Sequence, residues 1–243
     1  MARHYSDIGL IINEYDYCDE LNSIIEEYAE SSRTVSVGEN SYLIVDIDEK
    51  VELWFRVIEG ETDLDSVEPH YRSGLVSELI NPEWVYRDDL GMSGLLKGKL
   101  NNEPINLNIS GAALVPPVNS LASLRCEIAA FAESLSVYED VEDFKENCEY
   151  GDAFAEKAYI PTGCYDSFGK DEINQTPRAI ISGVVKSVEQ RENSHTGEEY
   201  FVITVESAHS NFVMLVEPEL LYDDVVPGNI IMGKFWFSGK VLD

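Results

Sequence analysis

The chain has 243 residues, of which 46 are acidic and 17 basic, giving a formal net charge of −29, and 44% of them are hydrophobic. That hydrophobic share excludes a disordered chain, and the charge excludes the cationic surface that gathers nucleic acid or anionic lipid by counterion release. At about 100–200 residues per domain the length fits one or two domains, and two are expected here.

The N-terminal stretch MARHYSDIGLIINEYDYC has no basic run leading into an apolar core, and nowhere do ~18 apolar residues run together. No membrane contact is therefore expected, and a cytoplasmic location is. Cys18, Cys126, Cys148 and Cys164 form no CxxC or other close pair, which points to reduced thiols, mostly buried, and to neither a zinc knuckle nor a disulfide framework.

In DELNSIIEEYAES, Leu21, Ile24, Ile25 and Tyr28 recur at helical spacing while Glu26, Glu27 and Glu30 take the other face, so an amphipathic helix is predicted over Asp19–Ser31, capped by Asp19. A hairpin follows, Tyr42–Ile47 and Val51–Ile58 around Asp48-Glu49-Lys50. The segments ETDLDSVEPHYRSG and NPEWVYRDDLGMSG carry Pro, Gly and Asp and read as loops around a short strand. A second hairpin is predicted in GLLKGKLNNEPINLNIS, with its turn at Asn101-Asn102. After Pro116-Pro117, Leu121, Leu124, Ile128, Phe131, Leu135 and Tyr138 fit a heptad-like spacing that favours a helix, although the alternation Leu124, Cys126, Ile128 also fits a strand. The acidic YEDVEDFKENCEYGDAFAEK is expected to hold a short helix begun by Asp140.

YIPTGCYDSFGKDEINQTPR, with two prolines, two glycines and no sustained period, reads as a linker over residues 161–177. From Arg178 the pattern is β: Ala179–Glu189, Tyr200–Ser207, Asn211–Val216, a helical turn in PELLYDD, then Asn229–Ser238. The predicted class is α+β, mainly antiparallel β with a few helices, in two units at residues 1–160 and 178–243. No internal repeat is visible.

Three successive strands, a short helix and a final strand entered through Pro227-Gly228 make residues 178–243 resemble an OB-fold-like small β-barrel, and PGNIIMGKFWFSG is similar to the ends of some bacterial proteins. Gly183 falls where the long first strand of such a barrel bends. Four strands are evident against the five of an OB-fold, and KAYIPTG offers one source for the missing edge. The resemblance implies a ligand face with aromatic and cationic side chains. Lys186, Arg191, Tyr200, Lys234 and Trp236 are the candidate ligand-binding residues. The same stretch holds ten acids against five bases, and alternation in Phe235-Trp236-Phe237 places one face of that strand in a core.

Paired carboxylates occur in DIDEK, TDLDSVE, RDDLG and YDDVV, but Lys50 occupies a ligand position of any EF-hand-like loop begun at Asp46. His4, His70, His195 and His209 form no metal-binding spacing, and no GxSxG, GxGxxG or GxxxxGK[ST] loop is present. The expectation is a protein without catalytic residues, metal or cofactor that works through protein contacts. A basic partner is one form of this, with the chain as an acidic inhibitor of a toxin or nuclease. An OB-type binder of single-stranded nucleic acid or another small ligand is the alternative.

Overall fold

The computed structural model describes residues 4–10, 12, 17–58, 67–149, 154–164, 175–208 and 210–242, with only the backbone of residues 17 and 119. Among these residues the chain is mainly antiparallel β, in one four-stranded and one nine-stranded sheet, with two α-helices. Helix α1 (Tyr17–Glu27) buries Leu21 and Ile24 as the apolar spacing requires, and Asp19 lies in its first turn instead of capping it. Helix α2 (Val141–Asn147) starts at Asp140, whose carboxylate accepts from the Asp143 N–H.

The four-stranded sheet is a meander of β1 (Arg33–Val37), β2 (Asn40–Asp46), β3 (Val51–Val57) and β4 (Val67–Tyr71). The hairpin β2–β3 falls where predicted; β1, mostly exposed, gave no alternation to read. In the large sheet β5 (Val76–Arg87) replaces the predicted loop over NPEWVYR, because two register shifts against its neighbour let a strand accommodate Asn81 at φ 50° and Pro82. Strands β6 (Gly94–Leu100) and β7 (Glu103–Ile109) turn at Asn101-Asn102, both at positive φ, as a type I′ hairpin needs.

Residues 123–138, favoured as a helix, form a long strand, β8 (Ser123–Tyr138). From Cys126 to Ala132 every residue of β8 is buried, even-numbered ones against one core cluster and Ala129 and Phe131 against another. A strand covered on both faces has no polar alternation, and its apolar run then mimics a helical period. The remaining strands are β9 (Ala158–Ile160), β10 (Arg178–Glu192), β11 (Glu199–Glu206), β12 (Asn211–Val216) and β13 (Ile230–Val241), with a 3-10 turn at Pro218–Leu220. KAYIPTG does supply an edge, since β9 pairs with Ile180–Ser182 of β10.

The pairings of the large sheet return on themselves twice. One circuit runs β10–β11–β12–β8–β13 and back to β10, and the other β5–β6–β7–β13–β8 and back to β5. The partner of β12 that residues 178–243 lack is therefore β8, which lies parallel to it at Ala130–Phe131. The two circuits repeat each other. In each, a long first strand pairs through its leading half with the fourth strand and through its trailing half with the second, and the third lies parallel to the fourth strand of the other set. The pairing scheme is thus repeated, although no internal repeat is visible in the sequence.

One hydrophobic cluster fills both circuits, from Leu79, Leu96 and Leu107 to Ile181, Ile203 and Phe235, so residues of 1–160 and 178–243 share it. The four-stranded sheet and α1 lie over Ala129, Phe131, Tyr200, Val202, Val213 and Leu215, on the outward face of β8, β11 and β12. The sheet's other face closes on Met92 and Ala113 through Tyr42, Ile44 and Trp54.

Candidate functional site

The residues predicted from the OB resemblance are only partly brought together. Arg191 and Tyr200 are opposite each other on β10 and β11, and both meet Tyr71, which Arg191 reaches at 3.3 Å and Tyr200 faces edge-on at 6.5 Å. Tyr200 is wholly buried beneath the four-stranded sheet, and burial pushes its hydroxyl pKa upward. Lys186 is exposed and 2.6 Å from Glu206, which Lys157 also holds at 2.8 Å. Lys234 borders a small recess with Ser134, Ser136, Tyr138 and Glu149. The Trp236 ring carries the Arg178 guanidinium 4.9 Å from its centre, and Arg178 is bound to Glu133 at 2.7 Å. His195 lies in the β10–β11 turn, 2.7 Å from Glu27. His209 is outside the described residues.

A charged network that no motif announced lies on the face of the four-stranded sheet that carries Ile44 and Trp54. Antiparallel register sets Asp46, Glu52 and His70 side by side on β2, β3 and β4. Glu52, with a fully buried side chain, accepts from Lys240 at 2.8 Å, Arg33 at 2.5 Å, Arg72 at 2.7 Å and the Trp54 indole at 3.2 Å. Burial alone would raise its pKa; donation from Lys240, Arg33 and Arg72 wins and holds it down to about 2. Arg72 and Arg33 also bind Asp46, so three cations surround two carboxylates.

Beside it, His70 Nδ1 stands 3.5 Å from Ser238 Oγ, and Nε2 stands 3.8 Å from Glu127, too long for a hydrogen bond. The order Ser–His–Glu is that of a hydrolytic triad, but Ser238 and His70 are buried and line neither the recess nor the cleft described next. Burial drives the His70 pKa down, and the ring packs between the four-stranded sheet and strands β8 and β13. DIDEK and RDDLG serve structure as well: Asp48 accepts from the Lys50 and Val51 N–H groups, and Asp88 from those of Met92 and Ser93 while binding Arg56. No cluster of three metal-ligating side chains occurs among the described residues.

A cleft of about 500 Å³ opens where the paired strands β8 and β13, the β8–β13 ribbon, end. Among the described residues, Leu114, Val115, Pro116, Leu121, Leu124 and Leu242 give it an apolar lining, Trp54 and Gly111 meet beside it, and Arg125 and Lys240 are its charged residues. A side chain at Gly111, which has φ 71°, would strike the Trp54 ring at 2.5 Å, so glycine is what lets the indole close against the backbone. Trp54 is fixed from behind by Glu52, and the Lys240 ammonium lies 5.4 Å from its ring centre. Comparison of the chain with protein-family models, curated proteins and solved structures finds no match.

Proposed function

We propose that this chain is a non-enzymatic cytoplasmic protein that acts through protein contacts, with a basic partner. The observation that carries this is the meeting of α1, the β2–β3 turn and the β10–β11 hairpin at one end, where Arg191 touches Glu49 and Glu189 and His195 touches Glu27. Exposed Glu26 on α1, Glu30 in the turn after it, and Glu192, Glu198 and Glu199 on the β10–β11 hairpin add to these, so carboxylates far outnumber cations there. Complementary charge of this kind speeds association and selects a cationic surface. An acidic inhibitor of a basic toxin or nuclease is the narrower form of the same proposal.

Each five-strand circuit is taken here as an OB-like barrel, in which a three-strand meander is closed by a strand parallel to its third member. The outward face of β11 and β12, where the OB resemblance implies a ligand, is covered by the chain's own N-terminal sheet and α1. That cover weighs against single-stranded nucleic acid, as does neutralisation of Lys186 and Arg191 by glutamates.

The test is capture from cognate lysate on immobilised protein, beside a variant carrying Glu192→Lys, Glu198→Lys and Glu199→Lys. A basic protein should be retained by the natural chain, released as salt shortens the Debye length below about 8 Å, and lost by the variant. Retention of the same protein by both, or of none by either, overturns the proposal.

A further inference from the structure

We propose that β1 is a self-pairing edge, through which two copies of this chain join antiparallel across a twofold axis at Val35 and continue the four-stranded sheet from one copy into the other. This contact needs no basic partner. Open edges are scarce in the fold. Both circuits of the large sheet close, β9 is only three residues long, and the far side of the four-stranded sheet is backed where His70 on β4 meets Ser238 and Glu127. β1 has β2 on one side and, among the described residues, no strand on the other. Natural edges are guarded by charge, proline or a bulge. β1 has neither proline nor a register shift, and residues 31–38 hold one charged side chain, Arg33, which Asp46 and Glu52 already engage. In a chain with 46 acids, this run without a carboxylate is where self-repulsion is weakest.

Which groups the edge offers follows from its turn. Val37 and Asn40 face each other across the two-residue turn Gly38-Glu39, a spacing that only a hydrogen-bonded pair allows. Bonded and non-bonded pairs alternate along the ladder, so Val35 and Arg33 also bond to β2, and the peptide groups of Thr34 and Ser36 point away from it. Neither residue makes a backbone bond to another element among the described residues, and both side chains are exposed. A second β1 in antiparallel register on Val35 sets Thr34 of each copy opposite Ser36 of the other. Each pairing exchanges both N–H···O bonds and brings two hydroxyls together, a favourable cross-strand combination. Val35 meets Val35 at the axis, on the face where Val35 and Val37 already flank Tyr42, Ile44 and Trp54, so the apolar stripe runs on through the contact. The flanking carboxylates do not oppose one another, because Glu39 falls opposite Ser31 and Glu30 opposite Asn40. A strand of unrelated sequence would gain the backbone bonds alone, whereas a second copy gains all of these matches.

Two five-residue strands make a small interface, so the dimer is weak, with a Kd of about 0.1–1 mM. Sedimentation of the full-length chain across that range should show a monomer–dimer equilibrium, and the amides of Thr34 and Ser36 should shift with concentration in isotopically labelled protein. Salt should tighten the dimer by screening two copies of charge −29 from each other. That is the opposite of its effect on capture of a basic protein, so the two proposals fail separately. Thr34→Lys with Ser36→Lys sets like charges opposite each other at both pairings and should weaken the dimer about tenfold, even though the net charge of each copy falls. Thr34→Lys with Ser36→Glu sets opposite charges there and should hold or tighten it. A chain that stays monomeric at about 1 mM in about 0.5 M salt leaves the edge to a strand from another protein and overturns the proposal. So does a dimer whose shifts lie on other surfaces, or one that responds alike to the two double variants.

Discussion

Glu68 and Glu52 sit on neighbouring strands and are driven in opposite directions. Glu52 has three cationic donors, whereas Glu68 has Ser93 Oγ at 3.0 Å, and burial pushes the Glu68 carboxyl up to about 7. The signs of their linkage differ accordingly. Glu52 contributes stability above its unfolded value of 4.5, lost as pH falls through about 2. Glu68 is favoured in its protonated form, so its contribution is present below 4.5 and lost as pH rises through about 7. Glu68→Gln keeps an acceptor for Ser93 without the charge. It should stabilise the protein at pH 8 by about 1–3 kcal/mol, a range discounted for partial exposure of the side chain, with the gain shrinking to nothing by about pH 4 in urea denaturation. A gain independent of pH would show that charge is not the cause.

At the scale of elements, short strands beside a turn signal were legible even where both faces are covered, as in β12, and the long strand β8 with two dry faces was not. The hairpin β6–β7 announced itself through Asn101-Asn102, and β12 matched its predicted bounds. β8 did not, because Ala129, Ala130 and Ala132 are small for a reason no periodicity records: two layers press on them. The cleft was invisible for a different reason. Trp54, Ser110, Arg125 and Lys240 come from four separate strands or their ends, with no fixed spacing to serve as a motif. The β8–β13 ribbon also makes a local demand, since a Cβ on Gly233 would lie 2.1 Å from the Ser134 carbonyl oxygen. Gly233→Ala should cost at least about 1–3 kcal/mol, read as a lower urea midpoint at unchanged slope. Wild-type stability in that variant would mean that the strands are not so closely apposed.

For the whole molecule, the expected division into residues 1–160 and 178–243 meets a pairing scheme in which each stretch supplies a strand to the other: β8 closes on β12, and β13 on β7. Neither stretch alone can satisfy the backbone groups of its open edge or cover its share of the common core. Expressed separately, each should lack cooperative thermal unfolding, and co-expression of the two should restore it by strand exchange between fragments. Independent cooperative melting of either fragment would show that it carries a sufficient core of its own.

The exchanged ribbon also sets an order of events during synthesis. β13 follows every other strand of both circuits in the sequence, yet each circuit requires it. Until β13 leaves the ribosome, β8 presents an uncovered edge and the meanders β5–β7 and β10–β12 wait unclosed, a long interval for exposed strands to find wrong partners. The high density of carboxylates then has a use before any partner is met. Self-repulsion keeps unfinished chains apart while both circuits wait for the strand they share.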